Sequence, residues 1–346
     1  MSITLPNKTT QYASSELMKV MTGFWASQCL ITAAKLEIAD TLKEGPQHIS
    51  EIALAKGLHE AHLYRVMRAL SCFGIFSESD DKIFSLTPLS ELLTSDHPDS
   101  MKSIAIMLGS ENYQSWANLS VALTEGKSPF QHTYKSDVYS YFRNNLNAGT
   151  VFNEAMSAIA KNDAQAVISA FPFDGYNHIV DIGGGQGILL CQLLKEYPHA
   201  KATLFEQPEV IEQAIPIFRQ SGLDLRCSLV SGDFFEEIPK DGDIYIMSRI
   251  LHTFDDENAV RILQKVSSSL NEISELLILE WVIEPGNHPE TTAAKLMDVN
   301  MMVFAANGKD RTLKELEELF MAAGLKINRT LKCSTGIHCF ALVKDF

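Results

Sequence analysis

The chain has 346 residues, more than one hydrophobic core usually serves, so length alone predicts two domains. Hydrophobic residues make up 46% and charged residues 21%, which excludes disorder as the general state. With 29 basic side chains against 43 acidic ones the formal charge is -14, a sign that repels phosphate backbones and anionic lipid and so predicts no nucleic-acid or membrane partner.

The opening MSITLPNKTTQY has no basic segment followed by an apolar core, and no later run reaches membrane-spanning length, so a cytoplasmic protein is expected. Cys29, Cys72, Cys191, Cys227, Cys333 and Cys339 form no CxxC pair and the histidines no HxxxH pair. They read as reduced core thiols, and no metal is expected.

From Glu16 to about Ala34, Leu17, Met21, Phe24, Trp25 and Leu30 recur at helical spacing. Helices follow over Ile31 to Leu42, Ser50 to Lys56 and Glu60 to Phe73, separated by the stop signals Gly45-Pro46 and Gly57. Gly74 to Ser77 and Lys82 to Leu86 flank Asp80-Asp81 as a hairpin would, and Thr87-Pro88 starts another helix. Three short helices and a two-stranded wing suggest a winged helix. Its third helix sets Arg65 and Arg68 beside Glu60, and residues 1–100 hold eight basic against twelve acidic side chains. That balance favours packing against a partner subunit over DNA binding.

Residues 101–176 read as a helical linker and substrate-pocket region, with helices at Met101 to Leu108, Tyr113 to Thr124 and Gly149 to Ser169. From residue 177 to 346 strands and helices alternate: strands at His178 to Ile182, Ala202 to Glu206, Cys227 to Val230, Ile244 to Met247 and Leu276 to Trp281, with helices between. This predicts an α/β fold, a Rossmann-like doubly wound and mostly parallel sheet. A helix over Thr312 to Ala323 precedes strands Lys326 to Leu331 and His338 to Val343, whose short connection implies an antiparallel edge hairpin. Residues 1–100 form the preceding, mainly α, winged-helix domain.

The most specific local signal is the strand that runs from Ile179 through Asp181 into Gly183, Gly184, Gly185 and Gly187 before a helix. A ligand over that helix N-terminus can approach the backbone closely because no Cβ intervenes. The dinucleotide pattern GxGxxG fails, because Ile188 stands at its third glycine position. Glu206 ends the next strand, where a carboxylate can accept both hydroxyls of a ribose, and Asp233-Phe234 follows the third, offering an acid and an aromatic wall to an adenine.

The Asp181 to Gly187 run, Gly232 to Phe235, Ile250 to Asp256 and Gly308 to Thr312 together resemble the S-adenosylmethionine-dependent O-methyltransferases of plant phenylpropanoid and bacterial natural-product type. The resemblance covers most of the chain and implies a homodimer built through the winged-helix domain. It implies S-adenosylmethionine as cofactor and S-adenosylhomocysteine as product. Gly183 and Gly185 would border the methionine end, Glu206 the ribose, and Asp233 with Phe234 the adenine. Ser248-Arg249 stands where plant members carry Lys-Trp, so Ser248 takes a cofactor position without a long cation.

His252 would then be the general base toward a hydroxyl of a small aromatic acceptor, with Glu280 and Asp310 holding its ring. Glu280 interrupts an otherwise apolar strand, which is costly unless it has a partner. For Asp310 helix capping is the competing role, though Thr312 with Glu315 could form the capping box instead. Phe152 and Met156 from one helix, and Met297, Asn300, Met301 and Phe304 from another, would line the acceptor pocket. A stripe of this kind also serves ordinary core packing. N-methylation, non-methylating chemistry on the same cofactor and a winged-helix regulator remain the alternatives.

Overall fold

In the computed structural model, which describes residues 8–240, 242–305 and 307–345, with side chains from Tyr12 onward and Glu290 excepted, the chain divides into two units. One takes in the chain up to Tyr113 together with Thr150–Ala158, the other Gln114–Gly149 and Ile159 to the end.

The first unit opens with α1 (Lys8–Lys35), followed by α2 (Ile38–Thr41), α3 (Ile49–Lys56) and α4 (Glu60–Ser71). The single helix expected over Ile31 to Leu42 is instead broken, because Glu37 adopts a left-handed conformation (φ 56°). Its carboxylate is held there by Lys102 at 2.8 Å and Lys56 at 3.2 Å. The turn sends Ile38, Ala39 and Leu42 into the core with Ile49, Ile52, Met67 and Leu70. The predicted hairpin forms as β2 (Phe76–Ser79) and β3 (Ile83–Leu86), and a short strand the sequence does not announce, β1 (Gln47–His48), extends it to a sheet of order β1-β3-β2. Thr87 caps α5 (Pro88–Glu91) through a capping box with proline in its first turn, and α6 (Lys102–Met107) follows.

The helix expected over Tyr113 to Thr124 is two short ones, α7 (Tyr113–Trp116) and α8 (Ser120–Glu125). Beyond it lie two helices missed at the sequence level, α9 (Pro129–Tyr134) and α10 (Val138–Asn144). Their starts were written in Ser128 and Asp137, whose side chains accept from the amides of Gln131 and Ser140. The long α11 spans Leu146–Ala170.

The second unit is built on a seven-stranded sheet of order β6-β5-β4-β7-β8-β10-β9. Its strands are β4 (His178–Ile182), β5 (Lys201–Glu206), β6 (Cys227–Ser231), β7 (Ile244–Ser248), β8 (Glu275–Glu280), β9 (Leu325–Lys332) and β10 (His338–Lys344). The first five pair in parallel; β10 joins β8 antiparallel and leaves β9 at the edge, the expected hairpin. Both faces are covered, which is why alternate residues of one strand serve different cores. Ile179, Ile244, Ile246 and Leu277 pack with α12 (Ile188–Glu196) and α13 (Pro208–Gln220). Val180, Tyr245, Leu276 and Ile278 pack with α14 (Asp256–Ser269) and α16 (Leu313–Ala322). The remaining helix is α15 (Thr292–Phe304). Chain order reverses between β4 and β7, so the loops after these two neighbouring strands flank the crevice where such sheets bind ligands.

Candidate active site

The loop after β4 carries Gly183, Gly185 and Gly187 at positive φ (68°, 58° and 79°) and leads into α12. Asp181, the last acid before it, is 1% exposed, and neither carboxylate oxygen has a hydrogen-bond partner. Burial, reinforced by the charge of Glu206, pushes its carboxyl up to about 7. Gly184 rests directly on that carboxylate: a Cβ there would fall 2.3 Å from Asp181 Oδ2. Asp181 therefore underlies the loop. Glu206 ends β5, its carboxyl raised by burial while the amide of Gln207 donates to it at 2.9 Å. In the turn after β6, exposed Asp233 accepts from the amide of Phe235 at 2.9 Å. The Phe234 ring reaches back to 3.7 Å from where a Gly183 Cβ would lie and packs edge-on against Phe254. Ser248 closes β7 opposite Leu279.

This set fits an adenosyl cofactor. A loop of helix N-terminal amides, a buried orphaned carboxylate, an acid at the end of β5 and an aromatic wall stand at successive strand ends.

The loop after β7 forms one 3-10 turn, Leu251–Thr253, and presents His252. Its ring is 8% exposed, with Nδ1 buried and facing two buried carboxylates, Asp310 Oδ1 at 3.4 Å and Glu280 Oε2 at 3.6 Å. These distances exceed good hydrogen bonds, and all three groups retain unpartnered buried atoms. Burial raises the Glu280 carboxyl above its ordinary range; the His252 ring opposes that rise and the charge of Asp310 adds to it. The other oxygen of Glu280 accepts from the backbone N–H of Leu251 at 2.8 Å, tying the turn to the end of β8. The three side chains offer ligand atoms within 4.8 Å of one another, so their geometry alone would also accommodate a cation.

Asp310 is not the cap of α16. Thr312 fills that place with Glu315 as its box partner, and the Asp310 amide donates to Asp298 at 3.0 Å, which directs the acid toward His252. Sequence reasoning missed the brace behind it, Arg311. This fully buried guanidinium donates to the carbonyls of Leu251 (2.9 Å) and Phe254 (2.8 Å) and to Asp256 (2.9 Å), gripping both ends of the His252 turn. Asp255 caps α14, and Asp256 anchors Arg311.

On α15, partly exposed Met297, Asn300, Met301 and Phe304 share one face. The methyl of Met301 lies 3.5 Å from where a Gly308 Cβ would sit, a point 3.0 Å from the His252 carbonyl, so this face borders the His252 loop. Phe304 stacks on Phe130 of α9 at 5.4 Å between centroids. Asn300 accepts from the indole N–H of Trp116, another residue the sequence reading did not single out. Phe152 and Met156 fall in the segment Thr150–Ala158, which groups with the first unit.

A profile of the O-methyltransferase domain matches residues 116–326, and one of the O-methyltransferase dimerisation domain matches residues 18–96. The chain is 37% identical over 324 residues to a phenazine O-methyltransferase of Lysobacter antibioticus, covering 94% of each. It is 29% identical over 329 residues to a phenazine-1-carboxylate N-methyltransferase of Pseudomonas aeruginosa, covering 93% of this chain and 95% of that one. The solved structure of a methyltransferase of calicheamicin biosynthesis with bound S-adenosylhomocysteine matches with a TM-score of 0.86 at 28% identity, covering 98% of this chain and 100% of that one. The chain belongs to the family of S-adenosylmethionine-dependent O-methyltransferases.

Proposed function

We propose that the protein methylates a hydroxyl of a small planar aromatic acceptor, with His252 as general base. The observation that carries this reading is the His252 ring, whose buried Nδ1 faces two buried carboxylates and so leaves Nε2 as the nitrogen to meet a substrate. When bound, the cofactor supplies an electrophilic methyl on a sulfonium. An aromatic hydroxyl has a pKa of about 10 and an imidazole about 6.5, so His252 does not ionise the acceptor in advance; it takes the proton as the oxygen attacks. Glu280 and Asp310 keep the Nδ1 proton in place and stabilise the imidazolium that forms. Gly183, Gly185 and Gly187 hold the methionine end of the cofactor, with Asp181 beneath them and Ser248 beside them. Glu206 takes the ribose, and Asp233 with Phe234 the adenine. Met297, Asn300, Met301 and Phe304 form the acceptor wall. The dimerisation profile supports a homodimer.

Because one relative carries a phenazine O-methyltransferase name and another a phenazine N-methyltransferase name, a hydroxyphenazine is the apt first acceptor. The test incubates the enzyme, dialysed against a chelator, with methyl-labelled S-adenosylmethionine and 1-hydroxyphenazine. Label on the oxygen is expected. Label on a ring nitrogen, or activity that returns only with added metal, would contradict the oxygen-base reading.

A further inference from the structure

Arg249 follows Ser248 at the end of β7 and holds a left-handed backbone (φ 57°), a conformation that a residue with a Cβ keeps only where its surroundings impose it. Its amide donates to the carbonyl of Leu279 at 2.9 Å, and its guanidinium reaches Asp163 Oδ2 on α11 at 3.5 Å. That long contact is the only side-chain hydrogen bond of either residue among the described residues, although the Asp163 side chain is 11% exposed and that of Arg249 21%. Most N–H donors of the guanidinium and most lone pairs of the carboxylate are thus left without a protein partner. Burial raises the Asp163 carboxyl even with Arg249 beside it, so one guanidinium at this distance does not offset the loss of water. The pair adjoins the glycine loop. In the sheet Ile246 lies level with Asp181, so Arg249 emerges alongside Gly183 to Gly185, and the next side chain, Ile250, lies 2.7 Å from where a Gly183 Cβ would sit. The α11 backbone is tied to α12, into which the loop leads, by Gln192, whose amide donates to the carbonyl of Lys161 at 3.3 Å.

We infer that Arg249 and Asp163 receive the amino-acid end of the cofactor, Arg249 taking the α-carboxylate and Asp163 the α-ammonium. The two charges of an α-amino acid are carried on one carbon and complement an adjacent guanidinium and carboxylate, so each protein charge exchanges a loose contact for a close one. Loop amides at a helix N-terminus can hold the carboxylate but leave the ammonium without a counter-charge. Ser248 has no charge to offer, and Arg249 supplies the cation one position later. The inference rests on the reading that sets the methionine end over Gly183 to Gly187, and not on the identity of the acceptor.

The test measures dissociation constants by titration calorimetry of the full-length protein. The ligands are S-adenosylhomocysteine, its decarboxylated analogue S-adenosyl-3-thiopropylamine, which keeps the amine, and 5′-methylthioadenosine, which lacks the amino-acid end. Arg249→Asn tolerates the left-handed backbone and removes the cation. It is expected to weaken S-adenosylhomocysteine by about ten-fold or more without weakening either analogue, and Arg249→Lys to restore part of that loss. Asp163→Asn is expected to weaken S-adenosylhomocysteine and the amine analogue alike, with 5′-methylthioadenosine unaffected. Wild-type affinity for S-adenosylhomocysteine in Arg249→Asn, or an equal loss for every ligand, overturns the inference. A wild type that binds 5′-methylthioadenosine as tightly as S-adenosylhomocysteine overturns the placement of the methionine end and this inference with it.

Discussion

Asp181, Glu280 and Asp310 are each 3% exposed or less, an expensive arrangement that the fold supports only because each acid has a task. For Asp181 the cost is pH-dependent. Its folded-state carboxyl stands at about 7, above the roughly 3.9 of an unfolded aspartate. The folded chain keeps that proton longer than the unfolded chain does, so the contribution to stability is best below about pH 4 and is lost progressively as pH rises toward 7. Between pH 5 and pH 8 the ligand-free wild type should therefore lose more melting temperature than Asp181→Asn. Parallel melting profiles would show that the carboxylate is not what weakens the fold. His252, Glu280 and Asp310 were legible in the sequence because each stands in a motif or interrupts an apolar strand. Arg311 was not legible, since its burial depends on Asp256, 55 positions away, and on carbonyls of a turn that no local pattern announces. Trp116 and Asn300 are separated by 184 positions and meet only in the fold.

At the scale of elements, the parallel strands β4, β5, β7 and β8 were readable almost to the residue because they are buried on both faces and so appear as short, mostly apolar runs. The helical region between Tyr113 and Asn145 was not, since its helices span one or two turns each, too short for periodicity, and only α9 and α10 start at a capping side chain. The same capping chemistry separates two roles at the start of α16. Thr312→Ala should cost about 1 kcal/mol of stability while leaving kcat nearly unchanged, because the cap is Thr312 and the acid facing His252 is Asp310. Asp310→Asn should do the reverse, lowering kcat by about ten-fold or more with little change in melting temperature. Equal losses of kcat in the two variants would mean that the loop acts only as a structural cap.

For the whole molecule, the acidic balance and the two-part organisation were visible in composition and texture, and no described helix is long and apolar enough to cross a membrane. The surface of α1 is where the sequence and the chain in isolation part company. Leu17, Met18, Val20, Met21, Phe24 and Trp25 lie exposed on it, although side chains of this kind each gain about 1.5–3 kcal/mol on full burial. A second copy would cover them, in keeping with the dimerisation profile over residues 18–96. Removing residues 1–30 should convert the dimer to monomer in analytical ultracentrifugation, and a truncated protein that remains fully dimeric would place the interface elsewhere. The claim on which the rest depends is that His252 is the base. The most direct measurement is kcat for O-methylation of 1-hydroxyphenazine by His252→Ala, alongside its affinity for S-adenosylmethionine. A fall of about a hundred-fold or more with cofactor affinity intact is the predicted result; a variant that keeps its rate within a few-fold of wild type would contradict it.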